Sequence, residues 1–240
     1  MPMLNLGCGR VILPCPRPAH HLLVDAEIYD YPDWLNVDRN AGPEVDEVVD
    51  IFSYPWPWPD NSFDGALASH IVEHIPHEPR IPALDSTLND AYMRCGAFWQ
   101  RDIAAWHAWR RRAKILATLQ DGWFAWFAEL HRVLKPGALA HILVPHGHSD
   151  GALGDPTHTR YVMPHTFGYF EVDGGTFEYA IGSRWEIDGE ITYHVTEMFQ
   201  GVLRKALADG DTQALQLAIM TQLNAVYEFY VRLRAIKDGE

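Results

Sequence analysis

MLNLGCGR, residues 3–10, reads as a short apolar strand stopped by a glycine, a cysteine and another glycine. Met3, Leu4 and Leu6 supply the apolar side chains, while Gly7 and Gly9 permit backbone angles closed to other residues. A strand that ends in glycines is a place where a ligand can touch backbone. The turn lacks the third glycine of a GxGxxG fingerprint, because Val11 or Leu13 stands where that motif needs Gly or Ala for close helix packing against a pyrophosphate. A dinucleotide is therefore disfavoured, and with it a nicotinamide oxidoreductase.

Working outward, WLNVDRN (34–40), VDEVVDIF (45–52) and SFDGALASHIVEHI (62–75) read as further strands, the last passing into a helix. Between them, SYPWPWPDN (53–61) is a loop, since three prolines and Asp60-Asn61 forbid regular structure. Residues 84–134 are helical in period, with Trp99, Ile103, Trp106, Arg110 and Ala113 on one face, and Trp123, Trp126, Phe127, Leu130 and Leu134 on another. These aromatic stripes read as core. Lys135-Pro136-Gly137 ends that helix, with Gly137 as a left-handed cap, and ALAHILVP (138–145) is a buried strand. TFEYAIG (176–182) and ITYHVTEMF (191–199) read as strands around a turn at Asp188-Gly189, and residues 212–236 as a final amphipathic helix. Strands alternating with helices give an α/β fold, a mostly parallel sheet with helices on both faces. Its ligand sits beyond the carboxyl ends of the strands, where the strand order reverses. There Asp38 is placed to accept two ribose hydroxyls, and Asp50 to meet an adenine amino group.

Composition narrows the function classes. The 240 residues carry 32 Asp and Glu against 19 Lys and Arg, a net charge of -13, which opposes loose association with phosphate backbones. Three cysteines without a CxxC spacing argue against a disulfide or zinc framework and for a reducing compartment, so cytoplasm is the expected location. No apolar run of about 18 residues appears, and neither a membrane span nor a secretory signal is read from the sequence.

LNLGCG (4–9), NVD (36–38), PWPDNSFD (57–64), ASHIVEHI (68–75) and ELHRVLKPGALAHILVP (129–145) together resemble the class I S-adenosylmethionine-dependent methyltransferases. They are most similar to members with a short LNLGCG start in place of a longer DxGxGxG motif. The resemblance implies a Rossmann-like, seven-stranded sheet whose last strand is antiparallel, and S-adenosylmethionine as cofactor. It is expected in one domain over 1–240, with a helical cap inserted at about 76–121 and a helical extension at about 198–238. Residue by residue, it implies that Gly7 and Gly9, with Cys8 between them, admit the methionine part of the cofactor. Asn5 stands where many relatives carry an acid, so it brings no charge to the cofactor's ammonium. Asp38 is to chelate the ribose, Asp50 with Ile51 and Phe52 to hold the adenine, and Ser69 and His70 to lie beside the sulfonium.

Methyl transfer needs alignment and desolvation above all, and a base only when the nucleophile begins protonated. The Asn/Asp-Pro-Pro-aromatic tetrapeptide of base-amino enzymes is absent after the fourth strand, where ASHIVEHI stands, and the Pro-Cys pair falls at Pro14-Cys15 rather than in that region. The expected acceptor is a small molecule or glycan-like metabolite, not nucleic acid. PHGHSDGALGDPTHTRYVMPHTFGYF (145–170), directly after the fifth strand, supplies His146, Asp155 and His158 as candidate catalytic residues. Asp155 and His158 are spaced to pair, the carboxylate fixing the imidazole's tautomer for proton removal. The same loop admits two further readings, a polar connection and a divalent-metal site. No HxxxH or HExxH spacing supports the last, so no metal is expected. A non-catalytic cofactor-binding or assembly module stays as the alternative function, its aromatic insert and last helix offering a partner surface, with a homodimer as one form.

Overall fold

The computed structural model describes residues 2–9, 11–14, 24, 26–29, 31–82, 103–119, 121–171, 183–211, 213, 217, 219 and 221–237. Five strands run parallel: β1 (Met3–Leu6), β2 (Trp34–Asp38), β3 (Glu47–Val48), β4 (Phe63–Ser69) and β5 (Leu134–Pro145). Among the described residues, three more join the sheet: β6 (Arg184–Ile187), β7 (Thr192–Val195) and β8 (Val226–Ile236). The order is β3-β2-β1-β4-β5-β8-β6, with β7 also on β8. The chain leaves β1 outward through β2 and β3, then returns to lay β4 on the other side of β1, so the order reverses between β1 and β4. This is the Rossmann-like arrangement expected.

Alternation along the strands buries both faces. Leu4 and Leu6 of β1, Ala66 and Ala68 of β4, Ile142 and Val144 of β5, and Phe229, Val231 and Leu233 of β8 share one core with Trp56, Trp123, Trp126 and Phe127. Met3, Leu67, Leu143 and Tyr230, the intervening residues, face a second core with Ile28 and Tyr29 of α1 (Ala26–Tyr29). The first core is covered by α2 (Ile103–Thr118) and α3 (Gly122–Val133), the latter begun by the Asp121 carboxylate accepting the Trp123 N–H at 2.7 Å. Two further helices, α4 (Asp150–Gly154) and α5 (Glu197–Asp209), follow β5 and β7. Among the described residues, no helix is long and apolar enough to cross a membrane.

Several expectations are corrected. The helix expected over 212–236 gives way to β8 at Val226, and with it the helical extension at 198–238 is helical over α5 but ends as a strand. The cause lies in its pattern: Phe229, Val231, Leu233 and Ala235 alternate with Tyr230, Arg232 and Arg234, a period of two in β-branched and aromatic residues. As the resemblance implies, this last strand is antiparallel to its neighbour β5. The Asp188-Gly189 turn makes no hairpin. Instead β6 and β7 lie one after the other against β8, pairing with Leu233–Ile236 and with Val226–Tyr230, so eight strands fill seven rows. Gly189, at φ +80, breaks that row. Gly137 does adopt a positive φ of +73, yet α3 has already ended at Val133, and the glycine serves a register shift inside β5. The strand expected over 45–52 is reduced to Glu47–Val48. TFEYAIG and the stripe at Trp99, Ile103, Trp106 and Arg110 lie outside the described residues or side chains.

Candidate functional site

Four strand ends converge on one cavity of about 500 Å³. Its wall is built from Gly7 after β1, Asp38 at the end of β2, Asp50, Ile51 and Phe52 after β3, and His70 after β4. Gly7 takes φ +61, and a Cβ there would stand 2.2 Å from Ile71 Cδ1, so the backbone is bare where β1 meets the cavity. The Asp38 carboxylate is held upright by the first turn, Oδ2 accepting the Gly9 N–H at 3.0 Å and Oδ1 the Asn40 N–H at 2.8 Å. Asp50 sits in a turn rather than a strand. Its Oδ1 accepts the Phe52 N–H at 3.1 Å and its Oδ2 the Ser53 hydroxyl at 2.7 Å, which presents Ile51 and Phe52 to the cavity.

His70 adopts a left-handed φ of +54, sparsely populated for a side chain of this kind, and is pinned there. Its Nε2 lies 3.0 Å from Glu228 Oε2 and its Nδ1 3.6 Å from Glu73 Oε1, two carboxylates almost wholly buried. Burial alone lowers the imidazole, but the hydrogen bond to Glu228 and the Glu73 carboxylate more than offset it and hold it up to about 9. Glu228 belongs to β8, so reading that segment as a helix hid this anchor. It also receives His194 of β7 at 3.0 Å.

The remaining sequence candidates fall elsewhere. Asn5 turns away from the cavity and is buried, its amide donating to Val11 O at 2.7 Å and Asn36 Oδ1 at 2.9 Å, which ties the first turn to β2. Cys8 is buried, and burial with the Asp38 charge pushes its thiol up to about 11. Gly9 is exposed, and neither it nor Ser69 is part of the cavity wall. Arg39, Asn40, Ile71, His74, Pro76, Arg80, Thr157 and Thr159 complete that wall. Nothing in their spacing marks them in the sequence, since they arrive from turns that only the fold brings together.

The three candidate catalytic residues separate. Asp155 and His158 are 3.8 Å apart, but Asp155 Oδ1 is taken by the Thr157 N–H at 2.8 Å and hydroxyl at 2.6 Å. The His158 tautomer is set instead by Ala152, whose carbonyl accepts from Nδ1 at 2.9 Å. His146 is 1% exposed, packs edge-on to Phe229, and is away from the cavity wall. Burial and the neighbouring His148 push its imidazole down to about 4. Since that lies below the unfolded value of about 6.5, this group's stabilising effect is present above pH 6.5 and is lost as pH falls toward 4. Urea unfolding at pH 7.0 and 4.5 should show His146→Gln losing less stability on acidification than the native chain, by about 2–3 kcal/mol. An equal loss in both proteins would mean that His146 takes up a proton in the fold at the same pH as in the unfolded chain.

No protein-family model matches the chain, and no curated protein matches it either. Structural neighbours at low sequence identity include a [4+2]-cyclase and S-adenosylmethionine-dependent methyltransferases. One from Archaeoglobus fulgidus is 17% identical, with a TM-score of 0.47 over 97% of this chain and 85% of that one. One from Mesorhizobium loti is 16% identical, with a TM-score of 0.40 over 97% and 90%. The YcgJ protein from Bacillus subtilis is 13% identical, with a TM-score of 0.43 over 99% and 92%.

Proposed function

We propose that the cavity holds S-adenosylmethionine and that the chain transfers its methyl group to a small-molecule or glycan-like acceptor. The observation that carries this reading is the convergence of Gly7, Asp38, Asp50 and His70, the ends of four successive parallel strands or the turns after them, on one cavity at the reversal of strand order. The cavity's volume suits a ligand of nucleoside size and larger. Its bare Gly7 backbone fits a cofactor that presses against the first turn. The cofactor, when bound, supplies a methyl carried on a sulfonium.

The chain's own residues do the holding. Asp38 has one lone pair free on Oδ2, and the long 3.3 Å contact of the Asn40 side-chain amide with Oδ1 yields a second, so the two ribose hydroxyls are accepted in a charge-assisted fork. Ile51 and Phe52 offer an apolar face to adenine, with Asp50 at its edge. His70, fixed by Glu228 and Glu73, closes the wall beyond β4. Asp38→Ala should weaken S-adenosylmethionine and S-adenosylhomocysteine alike, by about 2–3 kcal/mol or roughly 30- to 150-fold, in isothermal calorimetry. Unchanged affinity in a variant with native circular dichroism would sink the assignment. Turnover is read separately, as a metabolite gaining one methyl in overexpressing cells.

A further inference from the structure

Glu73, His74 and His158 meet at the edge of this cavity from two segments far apart in the chain. The first two lie on the single 3₁₀ turn Val72–His74 that follows β4, the third in the loop beyond α4. One ligand atom from each lies within 4.8 Å of the other two. The two segments are stitched together by backbone: the Thr159 and Arg160 N–H groups donate to the Glu73 carbonyl at 2.8 and 3.2 Å, and the Thr159 hydroxyl to Ile75 O at 2.6 Å.

Two features distinguish this cluster from a polar connection. Glu73 is 1% exposed and neither carboxylate oxygen has a hydrogen-bond partner; the nearest cationic group described is His70 Nδ1, at 3.6 Å. His70 also meets Glu228 at 3.0 Å, so one imidazole is shared between two buried carboxylates, and a further cation at Glu73 would complete their compensation. The imidazoles are also oriented by groups that can only accept. His158 Nδ1 donates to the Ala152 carbonyl at 2.9 Å. The Thr157 hydroxyl proton is spent on Asp155, so the Thr157 carbonyl and hydroxyl oxygens, each 3.3 Å from His74 Nδ1, receive that ring's proton. Both rings therefore keep Nε2 as an electron-pair donor, and a backbone carbonyl behind each imidazole is the arrangement that fixes metal-ligating histidines.

We infer that Glu73, His74 and His158 bind a divalent cation of zinc type beside the proposed methyl-transfer cavity. Two imidazole nitrogens and one carboxylate oxygen suit zinc over magnesium or calcium, and three protein ligands leave a fourth position for water or an acceptor oxygen. Tetrahedral zinc wants its ligand atoms roughly 3.3 Å apart, so the cluster closes by rotation of half-exposed His74. Consecutive Glu73-His74 joined to a histidine 84 positions later forms no short motif, which is why the sequence expectation of no metal missed it. The site's link to acceptor binding rests on the reading of the cavity above; the site itself does not.

The test is titration of zinc into the full chain after chelator stripping, followed by calorimetry and, with cobalt substituted, by visible absorption. One ion per chain is expected. His74→Ala and His158→Ala should each weaken it at least about tenfold with circular dichroism unchanged. No stoichiometric uptake, or unaltered affinity in a His74→Ala variant with native circular dichroism, overturns the site. Calorimetry with S-adenosylmethionine on the same samples keeps the two readings apart. Zinc bound without cofactor upholds the site and removes the cavity's assignment, whereas cofactor bound without zinc removes the site alone.

Discussion

Gly7→Val is expected to abolish the S-adenosylmethionine binding proposed for the cavity and to lower the melting temperature by several degrees. The added Cβ would stand 2.2 Å from Ile71 Cδ1 and 3.0 Å from its Cγ1, and φ +61 is a conformation that β-branched residues resist. Relief requires moving either the first turn or Ile71, both of which form the cavity wall. The strain alone should cost about 1–3 kcal/mol, or roughly 2–12 °C for a chain of this size, and the affinity loss should exceed about a hundredfold. Gly9→Ala is the control: its φ of +52 is strained, but the nearest atom to the new Cβ, Gly7 O, is 3.9 Å away. It should destabilise slightly and keep most of the affinity. Native affinity in Gly7→Val would show that no ligand presses on this turn.

The largest loss of stability is expected from Glu129→Ala. This carboxylate of α3 is fully buried, and it accepts the Trp56 N–H at 2.7 Å, Arg112 Nε at 2.8 Å, and Arg132 Nε and Nη2 at 2.9 and 2.8 Å. Burial raises its pKa, but the two guanidinium groups outweigh that and hold it below the usual carboxylate value. Arg132 also donates to Trp56 O, Trp58 O and Asp60, so one carboxylate organises the whole proline-rich loop. Removing one member of a buried ionic group leaves its partners charged and uncompensated, at about 3–5 kcal/mol. Urea denaturation measures it, and a loss below about 1 kcal/mol would refute the network's role. Glu129→Gln, which keeps the shape, should fall between.

What could be read from the sequence was whatever rests on local pattern. LNLGCG fixes a strand and its bare turn, Asp38 follows from an acid ending the next strand, and Trp123, Trp126 and Phe127 from a helical stripe that does become core. What could not be read depends on partners distant in the chain. Asn5 resembles a cofactor contact until β2 brings Asn36 against it. Trp56 and Trp58 sit in a stretch that reads as loop, yet both are buried because Glu129 and Arg132, more than 70 positions away, satisfy the loop's backbone. His70 gains its two carboxylates only through a 3₁₀ turn and β8, and the period of two in β8 was obscured because residues 212–236 read as one continuous helix.

The interrupted outer row of the sheet also bears on how two copies of this chain can associate. One border is β3, only two residues long, and the other is broken at Asp188-Gly189, where the Asp188 carboxylate engages Arg232 and Arg234. Neither offers an unbroken run of backbone donors and acceptors on which a neighbouring molecule could continue the ladder, which is how natural sheets resist fibre growth. Among the described residues, helix faces and loops are therefore better suited to self-association than the sheet borders.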